Sequence, residues 1–140
     1  MSKLLKCISR NIQTYAQDAA FIALKSYEGD VKFRVHNKGL NSRGSQIGNY
    51  RSGDWIQERL AAGKQVRYVD LQFSGQTRDD LTTGQSKGQA VLGFTTDRSK
   101  EIHDENTDRY GNIWRPTTIE LRDYEDRFSD ELNVKIAKCG

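Results

Sequence analysis

"LLKCISRNIQTYAQDAAFIALKSY", residues 4–27, is the stretch that decides the fold. Its apolar side chains recur at spacings of three and four, at Leu5, Ile8, Ile12, Tyr15 or Ala16, Ala19 and Ile22. That period marks one face of an α-helix, so the stretch predicts a long amphipathic helix whose apolar face packs on a core. The glycine in Glu28-Gly29-Asp30 follows the last repeat and predicts the end of this helix.

Extended segments are expected downstream of this helix. Residues 31–35, VKFRV, and residues 65–73, QVRYVDLQF, have the side-chain pattern of strands with one buried face. Residues 89–95, QAVLGFT, are apolar enough to form a central strand. Residues 112–121 look extended, and Pro116 places them at an edge of the sheet.

Shorter helical segments are predicted from capping residues and charge pairs, at residues 54–62, 76–82, 98–110 and 122–133. Asp54 is the expected N-cap of the first, and Gly63 its end. Gly111 is expected to end the third. The tail at residues 134–140 is expected to be loose.

These elements predict an α+β fold, in which a long N-terminal helix packs on a small, mainly antiparallel sheet and a C-terminal helix follows. The 140 residues fit a single domain, 1–140, without an internal repeat or a linker. Residues 37–53, NKGLNSRGSQIGNYRSG, carry four glycines among polar residues and no periodicity. They predict a long flexible loop, of a length that is usually functional or disordered in a small domain.

The composition is lean for a compact globule, with 35% hydrophobic residues, 29% charged residues and a mean hydropathy of −0.81. We therefore expect one thin core and a surface that an assembly partner covers in part. No run of 18 apolar residues is present, so no membrane contact is expected. Cys7 and Cys139 lie near opposite ends of the chain and are expected to be two free thiols in a reducing cytoplasm.

The net charge of +3 hides an asymmetry along the chain. Residues 31–67 contain eight Lys and Arg against two acidic residues, a balance of +6. Residues 97–131 contain eleven Asp and Glu against six Lys and Arg, a balance of −5. Such a chain can pair head to tail with copies of itself or face two different partners, or the two surfaces can compensate within one fold.

No pattern of catalytic residues, cofactor ligands or metal ligands is found, and we do not expect an enzyme. The strongest candidate cluster for a metal is Glu101, His103, Asp104, Glu105 and Asp108. On a helix, however, side chains two positions apart, such as His103 and Glu105, point about 200° apart. An exposed acidic helix with one incidental histidine explains this segment better.

A small basic nucleic-acid-binding protein is the alternative hypothesis. Phosphates could be contacted by basic residues, namely Arg34, Lys38, Arg43, Arg51, Arg59, Lys64 and Arg67. Tyr50, Trp55 and Tyr68 could stack on bases. The sequence pI of about 8.9 is lower than that of a dedicated nucleic-acid binder.

Four motifs follow one another in a characteristic order. A strand leads into a glycine-containing turn over Leu71 to Leu81, and a later strand carries Leu92-Gly93-Phe94. An acidic segment then ends at Tyr110-Gly111, shortly before Arg115-Pro116. In this order and spacing the chain resembles the tail-completion and head–tail joining (neck) proteins of long-tailed bacteriophages.

The resemblance implies a non-enzymatic virion protein that forms a ring, often a hexamer, at the neck or at the end of the tail tube. Such a protein would contact neighbouring neck or tail proteins in the virion, after assembly in the host cytoplasm. Its basic region would face an acidic neighbour or the DNA-filled lumen. The candidate residues for that interface are Arg34, Lys38, Arg43, Tyr50, Arg51, Trp55, Arg59 and Lys64.

Overall fold

The computed structural model describes residues 2–72 and 74–140 and has the predicted α+β architecture. Its elements, in chain order, are α1 (Lys3–Lys32) with a π-helical turn (Phe33–Asn37), α2 (Gly53–Ala61), α3 (Gln76–Asp80), β1 (Leu81–Ser86), β2 (Gln89–Phe94), α4 (Asp97–Tyr110) and α5 (Thr118–Ala137). The β-hairpin packs on α1, and α1 and α5 pack along each other. None of the helices in the described parts of the chain has the length and apolarity to cross a bilayer.

Helix α1 is longer than the sequence predicts. Gly29 lies inside it, so the predicted end at Gly29 and the predicted strand at 31–35 are both wrong. Val31 and Val35 are four residues apart and both fully buried, on the same face as Tyr27. Burial of this face stabilises the helix beyond Gly29, a residue with low helix propensity, because tertiary packing outweighs local preference.

The sheet is a single antiparallel hairpin in which Leu81 pairs with Phe94 and Ser86 with Gln89. Lys87 and Gly88 form the two-residue turn, both with positive φ, as type I′ hairpin turns require. The strand predicted at 89–95 is confirmed as β2. It pairs only with β1 among the described residues, so it is not a central strand.

The strand predicted at 65–73 is wrong over residues 65–72, which are irregular, and Phe73 lies outside the described residues. The Gln65 side chain accepts hydrogen bonds from the backbone N–H groups of Arg67 and Tyr68, at 2.8 and 3.2 Å. Leu71 has a φ of +52°, which a strand does not allow. Bonds from side chains to nearby backbone thus replace a strand ladder here.

The predicted helices are all present, with shifted ends. Ser52, not Asp54, is the N-cap of α2, because its hydroxyl accepts a hydrogen bond from Trp55 N. Helix α4 ends at Gly111, with φ +77°, as predicted. The edge strand predicted at 112–121 is wrong: residues 112–117 are irregular and pair with no strand of the described chain, and Thr117 and Glu120 form a capping box that starts α5 at Thr118.

Helices α1 and α5 run antiparallel, so the start of α1 meets the end of the chain. Lys135 lies 3.8 Å from Asp18, and Cys7 forms a disulfide with Cys139, with Cα atoms 5.7 Å apart. The expectation of two free thiols is therefore wrong, since the helix pairing brings the distant cysteines together. The expected loose tail is also wrong, because α5 continues to Ala137.

The core is small, as the lean composition predicts. Among the described residues it consists of Tyr27, Val31, Val35, Leu81 and Ile113, which come from α1, the π-helical turn, β1 and the segment before α5. Partly buried aromatic side chains surround it, among them Phe94, Tyr110, Trp114 and Tyr124. The loop between the π-helical turn and α2 contributes Ile47 to the rim of this core. It carries four of the eight predicted interface residues, Lys38, Arg43, Tyr50 and Arg51.

Candidate interaction surfaces

Arg34 is a buried clamp rather than an exposed contact residue. Its Nε lies 3.0 Å from both carboxylate oxygens of Glu120, and the side chain is only 8% exposed. Its two terminal nitrogens donate to backbone carbonyls, those of Leu40, Ile113 and Arg115. Arg34 therefore ties the end of α1 to the start of α5, and a partner cannot reach it in this structure.

Arg59 is buried in the same way, and its carboxylate partner is Asp70. Arg59 Nη2 lies 3.1 Å from Asp70 Oδ1, and the arginine side chain is 1% exposed. The remaining nitrogens of Arg59 donate to the carbonyls of Gln65 and Gln72. A buried ion pair of this kind is stable only when such additional hydrogen bonds satisfy its groups.

Tyr50 is fixed by the same pair. Its hydroxyl donates to Asp70 Oδ1 at 3.0 Å, and the Arg59 guanidinium lies 4.5 Å from the centre of its ring. The Trp55 ring lies 6.0 Å from the same guanidinium. Burial raises the pKa of Tyr50 to about 12, so its hydroxyl stays protonated and donates. We call these side chains, Tyr50, Trp55, Arg59 and Asp70, the Arg59–Asp70 network.

A groove of about 740 Å³ lies in front of this network, between residues 47–52, α2 and the end of α4. Tyr50, Trp55 and Tyr110 supply aromatic walls, and Arg51 and Arg109 are its two charged side chains. Both arginines are exposed. No carboxylate lines this groove within the described residues. We call it the arginine groove.

The walls of the arginine groove are held from behind. Gly48 accepts a hydrogen bond from Val69 N at 2.9 Å. Gly48 also lies against Tyr110, because a Cβ at this position would be 3.5 Å from the tyrosine ring. The loop in front of α2 is thus attached both to residues 69–70 and to α4.

Sequence reasoning finds Tyr50, Arg51 and Trp55 but misses Arg109 and Tyr110. The latter two lie in the segment 97–131, whose net charge of −5 gave no reason to expect a basic surface there. The signal that could have revealed them is Arg109-Tyr110-Gly111, since a basic residue in the last turn before a C-capping glycine lies at a helix end.

Lys38 and Arg43 lie on a different surface. They line a depression of about 480 Å³ between the end of α1 and the start of α5. Lys38 Nζ lies 5.1 Å from the centre of the Phe33 ring, and both Phe33 and Ile119 are more than half exposed there. The predicted interface residues are therefore not on one continuous face.

Lys64 lines a third, polar depression, together with His36, Asp70 and Arg78. The Nδ1–H of His36 donates to the carbonyl of Asp70 at 3.0 Å, because a carbonyl can only accept. Burial lowers the pKa of His36 to about 4. The imidazole is therefore neutral at pH 7.

The opposite charge collects in a cleft of about 490 Å³ between α1 and α5. Its charged lining consists of Asp30, Asp123, Asp126, Arg127, Asp130 and Glu131. Burial raises the pKa of Asp30, and the nearby charges of Glu120 and Asp123 raise it further. We call this surface the acidic cleft, in which carboxylates repel one another.

The described residues hold no group of three or more His, Cys, Asp or Glu that could bind a metal ion. Asp80 and Ser99, at 2.6 Å, are the shortest carboxylate–hydroxyl contact, but Thr96 donates to the same oxygen at 2.7 Å. These bonds, that of Ser99 first, lower the pKa of Asp80. They attach α3 to the N-terminus of α4, which is a structural role.

Comparisons with known proteins gave no match: no family model, no curated protein and no solved structure is significantly similar to this chain.

Proposed function

We propose that this chain is a non-catalytic, ring-forming structural subunit at the neck or tail end of a tailed bacteriophage. The observation that carries the proposal is that one chain has two separate surfaces of opposite charge, the arginine groove and the acidic cleft. The two surfaces share no lining residue. The arginine groove lies between residues 47–52, α2 and α4, whereas the acidic cleft lies between α1 and α5. A ring of identical subunits needs two different complementary surfaces, because its contacts are heterologous.

The uncovered apolar face of α1 supports the same proposal. Leu5, Ile12 and Ile22 belong to the apolar stripe of the sequence, and they are 55%, 39% and 37% exposed. On α5, Ile119 and Val134 are 69% and 60% exposed. Two long helices that leave large apolar side chains in solvent favour contact with further protein.

The segments that carry the resemblance to neck proteins meet in space, which also supports the proposal. Leu81 and Phe94 are paired across the hairpin. The Phe94 ring meets the Trp114 ring edge-on, with centroids 5.6 Å apart. Tyr110 packs on the same core. Residues from three of the four motifs thus help to form one core.

The molar mass in solution tests the proposal. A ring-forming subunit gives oligomers whose population rises with concentration, measured by analytical ultracentrifugation, and closed rings by negative-stain electron microscopy. A strictly monomeric species at every concentration, both alone and with the proteins encoded by its neighbouring genes, would contradict it. Portal, capsid or tail-tube genes beside its own would support it independently.

The alternative function, nucleic-acid binding, is favoured by one observation. The arginine groove combines exposed arginines with three aromatic rings, and such surfaces stack single-stranded bases. Against it, Arg34 and Arg59 are buried in ion pairs, which lowers the number of cations available to phosphates. Binding to single-stranded DNA with a steep salt dependence, lost in Arg51→Ala/Arg109→Ala while the chain stays monomeric, would favour the alternative.

A further inference from the structure

We infer that the arginine groove is the receiving half of a head-to-tail contact between copies of this chain, and that it binds the acidic cleft face of the next copy's α5. The inference rests on the proposed ring-forming function and goes beyond it by assigning the two surfaces that meet.

The arginine groove has the properties of a prepared binding surface. Arg51 and Arg109 are exposed and lie in a groove without a carboxylate of its own in the described chain. Arg98, at the start of α4, differs because it forms an ion pair with Glu101 at 3.3 Å. Arginines and large aromatics carry much of the energy of protein interfaces, so these side chains are suited to anchor a partner.

The aromatic walls need little ordering when a partner binds. Tyr50 is held by its hydrogen bond to Asp70 and by the guanidinium of Arg59. Tyr110 contacts the core and Gly48. Because immobilising side chains costs free energy on association, walls that are already fixed favour binding.

The acidic cleft supplies the complementary charge. Asp123, Asp126 and Asp130 follow one another at spacings of three and four, so they lie on one face of α5. All three are exposed, and they form no ion pair within the described residues. Arginines from outside would relieve the repulsion among these carboxylates.

A second copy explains both surfaces, whereas DNA explains only one. If the groove of one copy receives the cleft of the next, the first copy keeps its cleft free and the second keeps its groove free, so further copies can add at either end. Such a contact closes into a ring when the rotation between copies allows it. A nucleic acid in the groove would leave the carboxylates on α5 without a role.

Charge reversal on each side tests the inference. The first variant is Arg51→Glu/Arg109→Glu, and the second is Asp126→Lys/Asp130→Lys. Each alone should weaken self-association on the order of a hundredfold, measured by sedimentation equilibrium. Matched controls reverse exposed charges outside both surfaces, with Arg10→Glu/Arg67→Glu and Asp97→Lys/Glu125→Lys, and should associate like the unmodified chain.

Mixing the two variants gives the decisive result. The first keeps an intact acidic cleft and the second an intact arginine groove, so an equimolar mixture should associate through this native pair although neither variant associates alone. All four substitutions in one chain should restore oligomers through the inverted pair. Circular dichroism confirms folding, and neutral variants Arg51→Gln/Arg109→Gln repeat the test should the reversed pair fail to fold.

Other outcomes overturn the inference in distinguishable ways. If the unmodified chain forms rings that both reversals leave intact, the ring function stands and this contact is wrong. If both variants fail to associate and do not rescue each other, the groove does not meet the cleft and the proposed contact is wrong. If the unmodified chain is always monomeric and Arg51→Glu/Arg109→Glu only abolishes DNA binding, the proposed function fails as well.

Discussion

Arg59 and Asp70 form a buried ion pair, with Nη2 3.1 Å from Oδ1, directly behind the surface that we propose as an interface. Asp70 also accepts hydrogen bonds from Tyr50, Gln65 and the backbone of Gln72. One carboxylate therefore orders the loop before α2, the helix itself and the irregular segment after it. The interface and the stability of this half of the chain depend on the same contact.

Replacing Asp70 should be strongly destabilising. Asp70→Ala leaves the Arg59 guanidinium buried without a counter-charge, which typically costs about 3–5 kcal/mol. Urea denaturation measures the change in the free energy of unfolding. Arg98→Ala is the matched control, because it removes an exposed ion pair with Glu101 and should cost less than about 1 kcal/mol. Equal losses in the two variants would show that the Arg59–Asp70 pair is not buried as described.

His36 should make the stability depend on pH. Its pKa falls to about 4 in the folded chain, from about 6.5 when unfolded, because burial disfavours the charged form. Between these values the unfolded chain binds more protons, so the free energy of unfolding falls as the pH decreases from 6.5 towards 4. The loss attributable to His36 is about 3 kcal/mol over that window.

Urea denaturation across this pH range checks the effect. His36→Phe has no imidazole to protonate and should flatten the dependence between pH 6.5 and 4. His103→Phe, at the second histidine of the chain, should keep it because His36 is retained. An unchanged slope in His36→Phe would mean that carboxylates, not this imidazole, cause the loss.

The disulfide between Cys7 and Cys139 should contribute substantially to stability. It closes a span of 132 residues, so reduction or Cys7→Ser/Cys139→Ser should lower the free energy of unfolding by about 2–4 kcal/mol. Thiol titration under denaturing conditions should find no free thiol before reduction and two afterwards. Two reactive thiols in the air-oxidised protein would instead agree with the expectation drawn from the sequence.

The sequence pattern was enough to predict the α+β class, the helices and β2, but it missed β1 and predicted three strands that are absent from the described residues. The strand predicted at 65–73 is absent over residues 65–72 because the side chains of Gln65 and Asp70 accept hydrogen bonds from nearby backbone, which polarity alone does not reveal. The first strand, β1, has the sequence LTTGQS, which shows no alternation of apolar and polar residues. Its buried Thr83 is held instead by a hydrogen bond to Glu28 of α1. Contacts between distant residues decide these cases.

The residues of the candidate surfaces could likewise be predicted from the sequence only in part. Arg51 and Trp55 are found from the sequence, because basic and aromatic residues are concentrated near them. Arg34 and Arg59 have the same local signature, yet each faces a buried carboxylate, Glu120 or Asp70. No sequence spacing distinguishes an exposed arginine from one whose partner is brought in by the fold. The disulfide is missed for the same reason.

Gly39 tests whether the loop before α2 has a fixed conformation. It has a φ of +64°, and a Cβ there would collide with the Tyr68 ring and lie 2.6 Å from the Val69 carbonyl oxygen. Gly39→Ala should therefore cost more than about 2 kcal/mol of unfolding free energy. In the control Gly44→Ala, φ is also positive, at +79°, but the space is open, so only about 1–2 kcal/mol should be lost. Equal losses would mean that the close packing at Gly39 is absent.

Limited proteolysis tests the exposed part of the same loop and its change on assembly. Residues 43–46 and 51–54 are exposed, so trypsin should cut the isolated protein first after Arg43 and Arg51. In assembled rings the cut after Arg51 should fade, because the arginine groove is then covered. The cut after Arg43, on a separate surface, reports accessibility independently. Cutting after Arg51 at an unchanged rate in rings would place the contact between copies away from the groove.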